Sequence, residues 1–362
     1  MAVGDLVAVE MLLAAFAGGA FGAAVGALQS FSLAGLVVVF GEVSRYLSRA
    51  AGFDLPVDLT NAVGFGVVLG PHVAFGGGAA AVAYAAHRGY LDDHGAYPAK
   101  DVTRGLGSRP DVLAVGGAFG VVGYLMATLS RTLAVPVDPV ALGVVVSALA
   151  HRAVLGYSVV GAGPRDWLDM RPFERSQRDG VDETTGDADA VTDGGAATGS
   201  DSRRPAVDPW LPYQYRWGNV AALGAVVGVL SAYVAYITAS PFLAFGITVV
   251  ALAFLCAGVA EIPVTHHMAL PASTVVLALV ETSGPLTPTA VAGSLPLGTA
   301  LVAGAAFGVL GGLLGELLQR VFYAHAETHL DPPAASIVCT SLLLGVLSVV
   351  GVLPSAVWVP TP

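Results

Sequence analysis

The chain reads as an all-α integral membrane protein of about ten transmembrane helices, arranged as a five-plus-five inverted repeat. Three observations predict this. Hydrophobic residues make up 55% of the 362 residues and charged ones 12%, with a mean hydropathy of +0.73, whereas soluble domains run near one quarter charged. Apolar stretches recur that are long enough to cross a hydrocarbon core of about 30 Å, which takes about 20 residues at 1.5 Å each. A polar tract in the middle then divides these stretches into two groups.

Crossings are expected near 6–28, 31–47, 62–87, 111–133 and 138–161 in the first half, and near 217–238, 241–262, 267–282, 297–323 and 334–353 in the second. The opening MAVGDLVAVE has no basic n-region, so the first apolar segment is expected to stay as a membrane helix. The second and eighth crossings are short, and Gly70-Pro71 can break the third into half-helices. Residues 1–161 and 217–362 thus form two membrane halves. The tract 162–216 between them holds RDGVDETTGDADAVTDGGAATGSDS, which has no apolar periodicity and cannot bury enough surface to offset its ordering entropy. It is expected to be an acidic, disordered tether.

Arginines orient the chain. With the tether in the cytoplasm, Arg88, Lys100, Arg104, Arg109, the seven tether arginines and Arg320 lie inside, while Arg45, Arg49 and Arg131 fall outside. A multi-pass protein of the cell membrane follows, with both termini out. Lys100 is the only lysine, and lysine depletion, Asp-rich loops and an Ala/Val/Gly bias fit an extremely halophilic archaeon or a GC-rich genome. Cys256 and Cys339 fall inside apolar segments and read as small buried hydrophobes, without a disulfide or metal framework.

The halves look related. GGAFGVVGYLMATLSRTL, VDP and GVVVSAL in the first half parallel GAAFGVLGGLLGELLQRV, LDP and SIVCTSL in the second. Five crossings per half would make the copies inverted. A rival register matches 32–44 with 271–283 and His94-Gly-Ala-Tyr-Pro-Ala with His329-Leu-Asp-Pro-Pro-Ala, which would make them parallel. Gly18, Gly22 and Gly26 share one helical face, as do Gly304, Gly308 and Gly312; small faces of this kind let helix backbones approach in lipid. No P-loop, dinucleotide fingerprint or nucleophile elbow is present.

Ionisable groups at membrane depth are costly and often functional. His266 and His267 sit between Pro263 and Pro271, and adjacent side chains diverge on a helix, so one of them at most joins a shared site unless the proline break reshapes the turn. In HAETHLD, His325 and His329 are four apart and would share a face on a continued helix, with Glu327 and Asp331 completing an N/O set for zinc, manganese or iron. The two prolines after Asp331 would stop that helix. His72, after Gly70-Pro71, and His94, after two aspartates, are candidates for a proton relay. Glu42 and Arg45 are three apart and suit a structural ion pair, and Glu281 and Glu316 are read the same way. Glu10, His151 and Arg152 read as packing or interface residues.

GPHVAFGGG (70–78), VTHHMALPA (264–272) and HAETHLDPPA (325–334) resemble an uncharacterised family of multi-pass membrane proteins from haloarchaea and some bacteria. The resemblance covers nearly the whole chain. It implies membrane topology and draws attention to the histidine motifs, but supplies no substrate.

The leading functional expectation is a secondary transporter or permease for a small solute or cation, with a His/carboxylate site between the halves. An intramembrane metal-dependent hydrolase using His325, His329, Asp331 and His266 or His267 is the second, and a non-catalytic scaffold subunit the third. The lipid bilayer is the expected surrounding. Nucleic-acid binding finds no support, because the arginines are interleaved with acids.

Overall fold

The computed structural model describes residues 8–91, 97–161, 167–170, 210–211, 213–259 and 261–362. His94 and most of the expected tether lie outside the described residues. Those described are helical and contain no strand.

α1 (Val9–Val25) and α2 (Ala27–Ala51) are separated by the single residue Gly26, whose φ of 106° only glycine adopts without strain. Gly26 is therefore a chain reversal, not part of a packing face as its spacing predicts. The expected break in the third crossing is present. A π-helical turn (Thr60–Gly64) and non-helical residues through Gly70-Pro71-His72 precede α3 (Ala74–His87). α4 (Pro110–Thr132) and α5 (Pro139–Leu155) each begin with proline, whose absent N–H costs nothing in a first turn.

The second half starts with α6 (Trp217–Thr238). The segment expected as the next crossing is split into α7 (Leu243–Val250) and α8 (Leu252–Cys256). α9 (His266–Ala278) is 13 residues long and carries Pro271 inside it. After α10 (Pro288–Ser294), α11 (Leu297–Leu318) runs into a π-helical turn at Gln319–Tyr323, and α12 (Pro332–Val349) closes the fold.

Among the described residues, five helical stretches are long and apolar enough to cross a membrane: Ala27–Ala51, Pro110–Thr132, Trp217–Thr238, Leu297–Tyr323 and Pro332–Val349. Their outer faces are apolar. Val226 on α6 is 67% exposed and Val302 on α11 is 71% exposed, a pattern that suits hydrocarbon and not water. α9, by contrast, is buried along its whole length, and α3 nearly so.

Small residues set the packing. α1 lies on α3 and α4, and α6 lies on α9 and α11. A Cβ at Gly19 would overlap the carbonyl of Gly116, and one at Gly228 would overlap that of Gly304, so both helix pairs pack backbone to backbone. The GGAFG copies in α1 and α4 are thus packing partners. Gly123 lies under the carbonyl of His72 and Gly311 under that of His267. Pro271 has no N–H for the His267 carbonyl four residues before it, and Gly311 leaves room for that oxygen. Across the centre, α2 meets α7 and α5 meets α12.

Candidate functional site

Two cavities lie along the central contact, and a third lies within the second half. The widest, about 350 Å³, is a vestibule walled by Asn61, Arg131, Asp138, Phe242 and Trp358 among others. Asp138, Phe65 and Val140 also line a narrow chamber of about 30 Å³, together with Phe31, Phe75, Phe245, His266 and Asp331. A third space of about 20 Å³ adjoins His267, Gln214, Glu316 and Gln319.

Local structure aims the chamber's polar groups. His266 opens α9, and the extended segment before it is pinned by Gln214, whose amide nitrogen donates to the Val264 carbonyl at 2.6 Å while its oxygen accepts from the Val264 N–H at 2.7 Å. The His266 ring packs edge-on against Phe31 at 5.0 Å and Phe245 at 5.8 Å between centroids. His266 is 2% exposed, and its Nδ1 has no hydrogen-bond partner among the described residues.

Asp138 and Asp331 stand at the N-termini of α5 and α12. Oδ1 of Asp138 accepts from the N–H groups of Val140 and Ala141 at 2.8 and 3.2 Å, and Oδ2 of Asp331 accepts from that of Ala334 at 2.8 Å. Each carboxylate therefore uses one oxygen to cap a helix. Asp331 Oδ1 is 3.6 Å from Nε2 of His329, whose ring packs against Phe75 and Tyr323, and His266 lies within electrostatic reach of Asp331.

The other predicted residues go elsewhere. The helix ends at Tyr323 and residues 324–331 are non-helical, so His325 and His329 do not share a helical face. Pro332 and Pro333 start α12; they do not stop its predecessor. Nε2 of His325 lies 3.2 Å from the Trp167 carbonyl, and Glu327 is exposed. His267 turns away from the chamber into the third space, as divergence of neighbours on a helix requires. Among the described residues no three His, Cys, Asp or Glu gather as ligands for a metal ion. His72, a proton-relay candidate, is 2% exposed, with Nδ1 unpartnered among the described residues.

Charged groups tie the elements around the cavities. Glu42 accepts from Arg45 at 2.6 Å, Thr60 at 2.7 Å and Ser240 at 2.6 Å, and Arg45 also pairs with Asp58. Burial of Asp58 pushes its pKa up, but the Arg45 hydrogen bond and charge, with bonds from Asn61, outweigh it and hold the carboxyl below the usual aspartate value. Glu316 pairs with Arg320 at 2.5 Å. At the C-terminal end of α5 the buried Arg152 donates to the Thr328 hydroxyl at 2.9 Å and to the carbonyls of Thr328, Phe322 and Val159 at 2.8 to 2.9 Å. Buried Lys100 donates to the Tyr323 carbonyl at 2.8 Å and lies 3.6 Å from the centre of that residue's ring.

A family profile of unknown function matches residues 1–362, the full length of the chain. The chain belongs to DUF7973. No curated protein and no solved structure matches it.

In this DUF7973 chain the sequence reading missed Asp138 and the four phenylalanines of the chamber. Val137-Asp138-Pro139 has the same pattern as Leu330-Asp331-Pro332, a likeness that could have drawn attention to Asp138. The phenylalanines carried no comparable signal, since each comes from a different segment and isolated aromatics in apolar helices are ordinary.

Proposed function

We propose that this protein is a multi-pass secondary transporter of the cell membrane, built of ten membrane segments as a five-plus-five inverted repeat, and that it moves a small solute or cation through a His/carboxylate site. The observation that carries the reading is the pair of adjoining cavities, sharing Phe65, Asp138 and Val140 and lined by both halves. Asn61, Phe65, Arg131 and Asp138 come from the first, and Phe242, Phe245, His266, Asp331 and Trp358 from the second.

The repeat is supported by helix direction. Gly35 sits at Val249, while Gly246 sits at Val38, so α2 and α7 run in opposite directions. Asp138 sits at Ser341, while Ala148 clusters with Leu330 and Ala335, so α5 and α12 also oppose. Equivalent helices crossing antiparallel about one axis are what an inverted repeat requires. The matched pairs His72 over Gly123 and His267 over Gly311 agree with the same register.

The reading implies one-sided access. The vestibule opens at the N-terminal end of α5, whereas Arg152 at its other end, about 20 Å away at 1.5 Å per residue, clamps the loop from Phe322 to Thr328. A carrier resting in one access state has this form. The test is thiol labelling in a Cys256→Ala/Cys339→Ala background, with Asn61→Cys in the vestibule and Gln214→Cys in the third space. A carrier reacts with a membrane-impermeant maleimide at Asn61→Cys from one face and, in a fraction of molecules, at Gln214→Cys from the other. Failure of both to react overturns the reading.

A further inference from the structure

From the chamber's lining we infer that it is a binding site for a small monovalent cation carrying N–H donors, of the size of ammonium or methylammonium. The inference rests on the carrier reading and names its substrate class. Two carboxylates, Asp138 and Asp331, line a space otherwise walled mainly by Phe31, Phe65, Phe75, Phe245 and aliphatic residues, and no Lys or Arg lines it. An anion in the chamber would face two carboxylates, while Arg131, the guanidinium that acts on Asp138, lines only the vestibule.

The choice among cations follows from the donor set. A divalent metal needs several convergent ligands, and the described residues bring no such set together. An alkali ion stripped of water needs a shell of oxygens, which phenyl walls do not supply. An N–H cation instead uses what is there: charge-assisted bonds to the carboxylate oxygens, a ring nitrogen of His266 as acceptor, and aromatic faces that attract a cation by their quadrupoles. His266 is buried and lines the chamber, with Nδ1 unpartnered among the described residues. Size sets the limit: about 30 Å³ holds roughly two water-sized bodies.

The experiment is equilibrium binding of radiolabelled methylammonium to the full-length protein in detergent, with uptake of the same label into proteoliposomes measured beside it. Saturable binding is expected, displaced by ammonium and not by sodium or tetramethylammonium, which is too large and has no N–H. Asp331→Asn should weaken it about tenfold, the loss of one charge-assisted bond. His266→Gln provides a second variant with the same expected direction should Asp331→Asn fail to fold. Absence of methylammonium binding, or binding unchanged in Asp331→Asn, Asp138→Asn and His266→Gln alike, overturns the inference; the carrier reading then stands or falls on the thiol labelling. Binding without uptake leaves the site and removes the carrier.

Discussion

Ser240 donates its hydroxyl to Oε2 of Glu42 at 2.6 Å, joining residues 198 positions apart in sequence. The contact fastens α2 to the turn before α7, beside the vestibule. Glu42 is 1% exposed and has accepted bonds from Arg45 and Thr60 as well. A carboxylate at such depth is tolerable only when its oxygens are filled in this way.

Removing that carboxylate leaves buried donors without an acceptor. Glu42→Ala should destabilise the protein by about 3 kcal/mol, the usual scale for breaking a buried pair from one side. Glu42→Gln should lose less, since its amide oxygen still accepts. Heating detergent-solubilised protein and measuring the monodisperse fraction by size exclusion checks the order wild type, Gln, Ala.

Gly123 and Gly311 each face a histidine carbonyl that a Cβ would overlap. Gly123→Ala and Gly311→Ala should each cost about 1–3 kcal/mol, because helix backbones must separate. Gly218 and Gly298 have nothing near their Cβ positions, so alanine there should be neutral or stabilising by up to about 1 kcal/mol. The same heating assay separates the two classes; equal losses at all four positions would refute the close-packing account.

Arg152 is fully buried and spends its guanidinium on Thr328 and three backbone carbonyls. Arg152→Leu should free the loop from Phe322 to Thr328, at a cost of about 3 kcal/mol from carbonyls left unpaired. Lys should not rescue it, since one ammonium cannot span these acceptors. Hydrogen exchange over residues 322–330 should rise in both variants while exchange in α6 stays unchanged.

The depressed pKa of Asp58 makes its ion pair acid-sensitive. A carboxyl held below its ordinary value of 3.8 contributes stability that is present above that value and is lost as pH falls through the lower, folded-state value. Asp58→Asn should therefore reduce stability at neutral pH and flatten its decline at acid pH below about 4. Melting midpoints of both proteins across pH 3–7 test this; parallel curves would refute it.

The legible part of the fold was the part written in composition. Long apolar stretches announce helices whatever their neighbours, and the Gly70-Pro71 break follows from proline chemistry alone. Glu42 and Arg45 could be paired from spacing because they share one helix. His325 and His329 misled for the converse reason: their spacing has meaning only on a continuous helix, and the helix ends at Tyr323. Of the chamber, His266 and Asp331 stood out as polar residues in apolar surroundings. Asp138 sits in a Val-Asp-Pro run like the Leu-Asp-Pro run of Asp331, but Phe31, Phe65, Phe75 and Phe245 converge from separate segments and nothing local foretells that convergence.

By itself the sequence determined the helical class, the apolar faces and the break at Gly70-Pro71, because those depend on the residue and its near neighbours. Only the tertiary structure decided which histidine faces the chamber, which faces away, and that two aspartates and four phenylalanines enclose one space. That outcome depends on which helices cross and in what direction, and glycine-to-backbone contacts such as Gly19 on Gly116 and Gly228 on Gly304 set the crossings at distances that no run of sequence encodes.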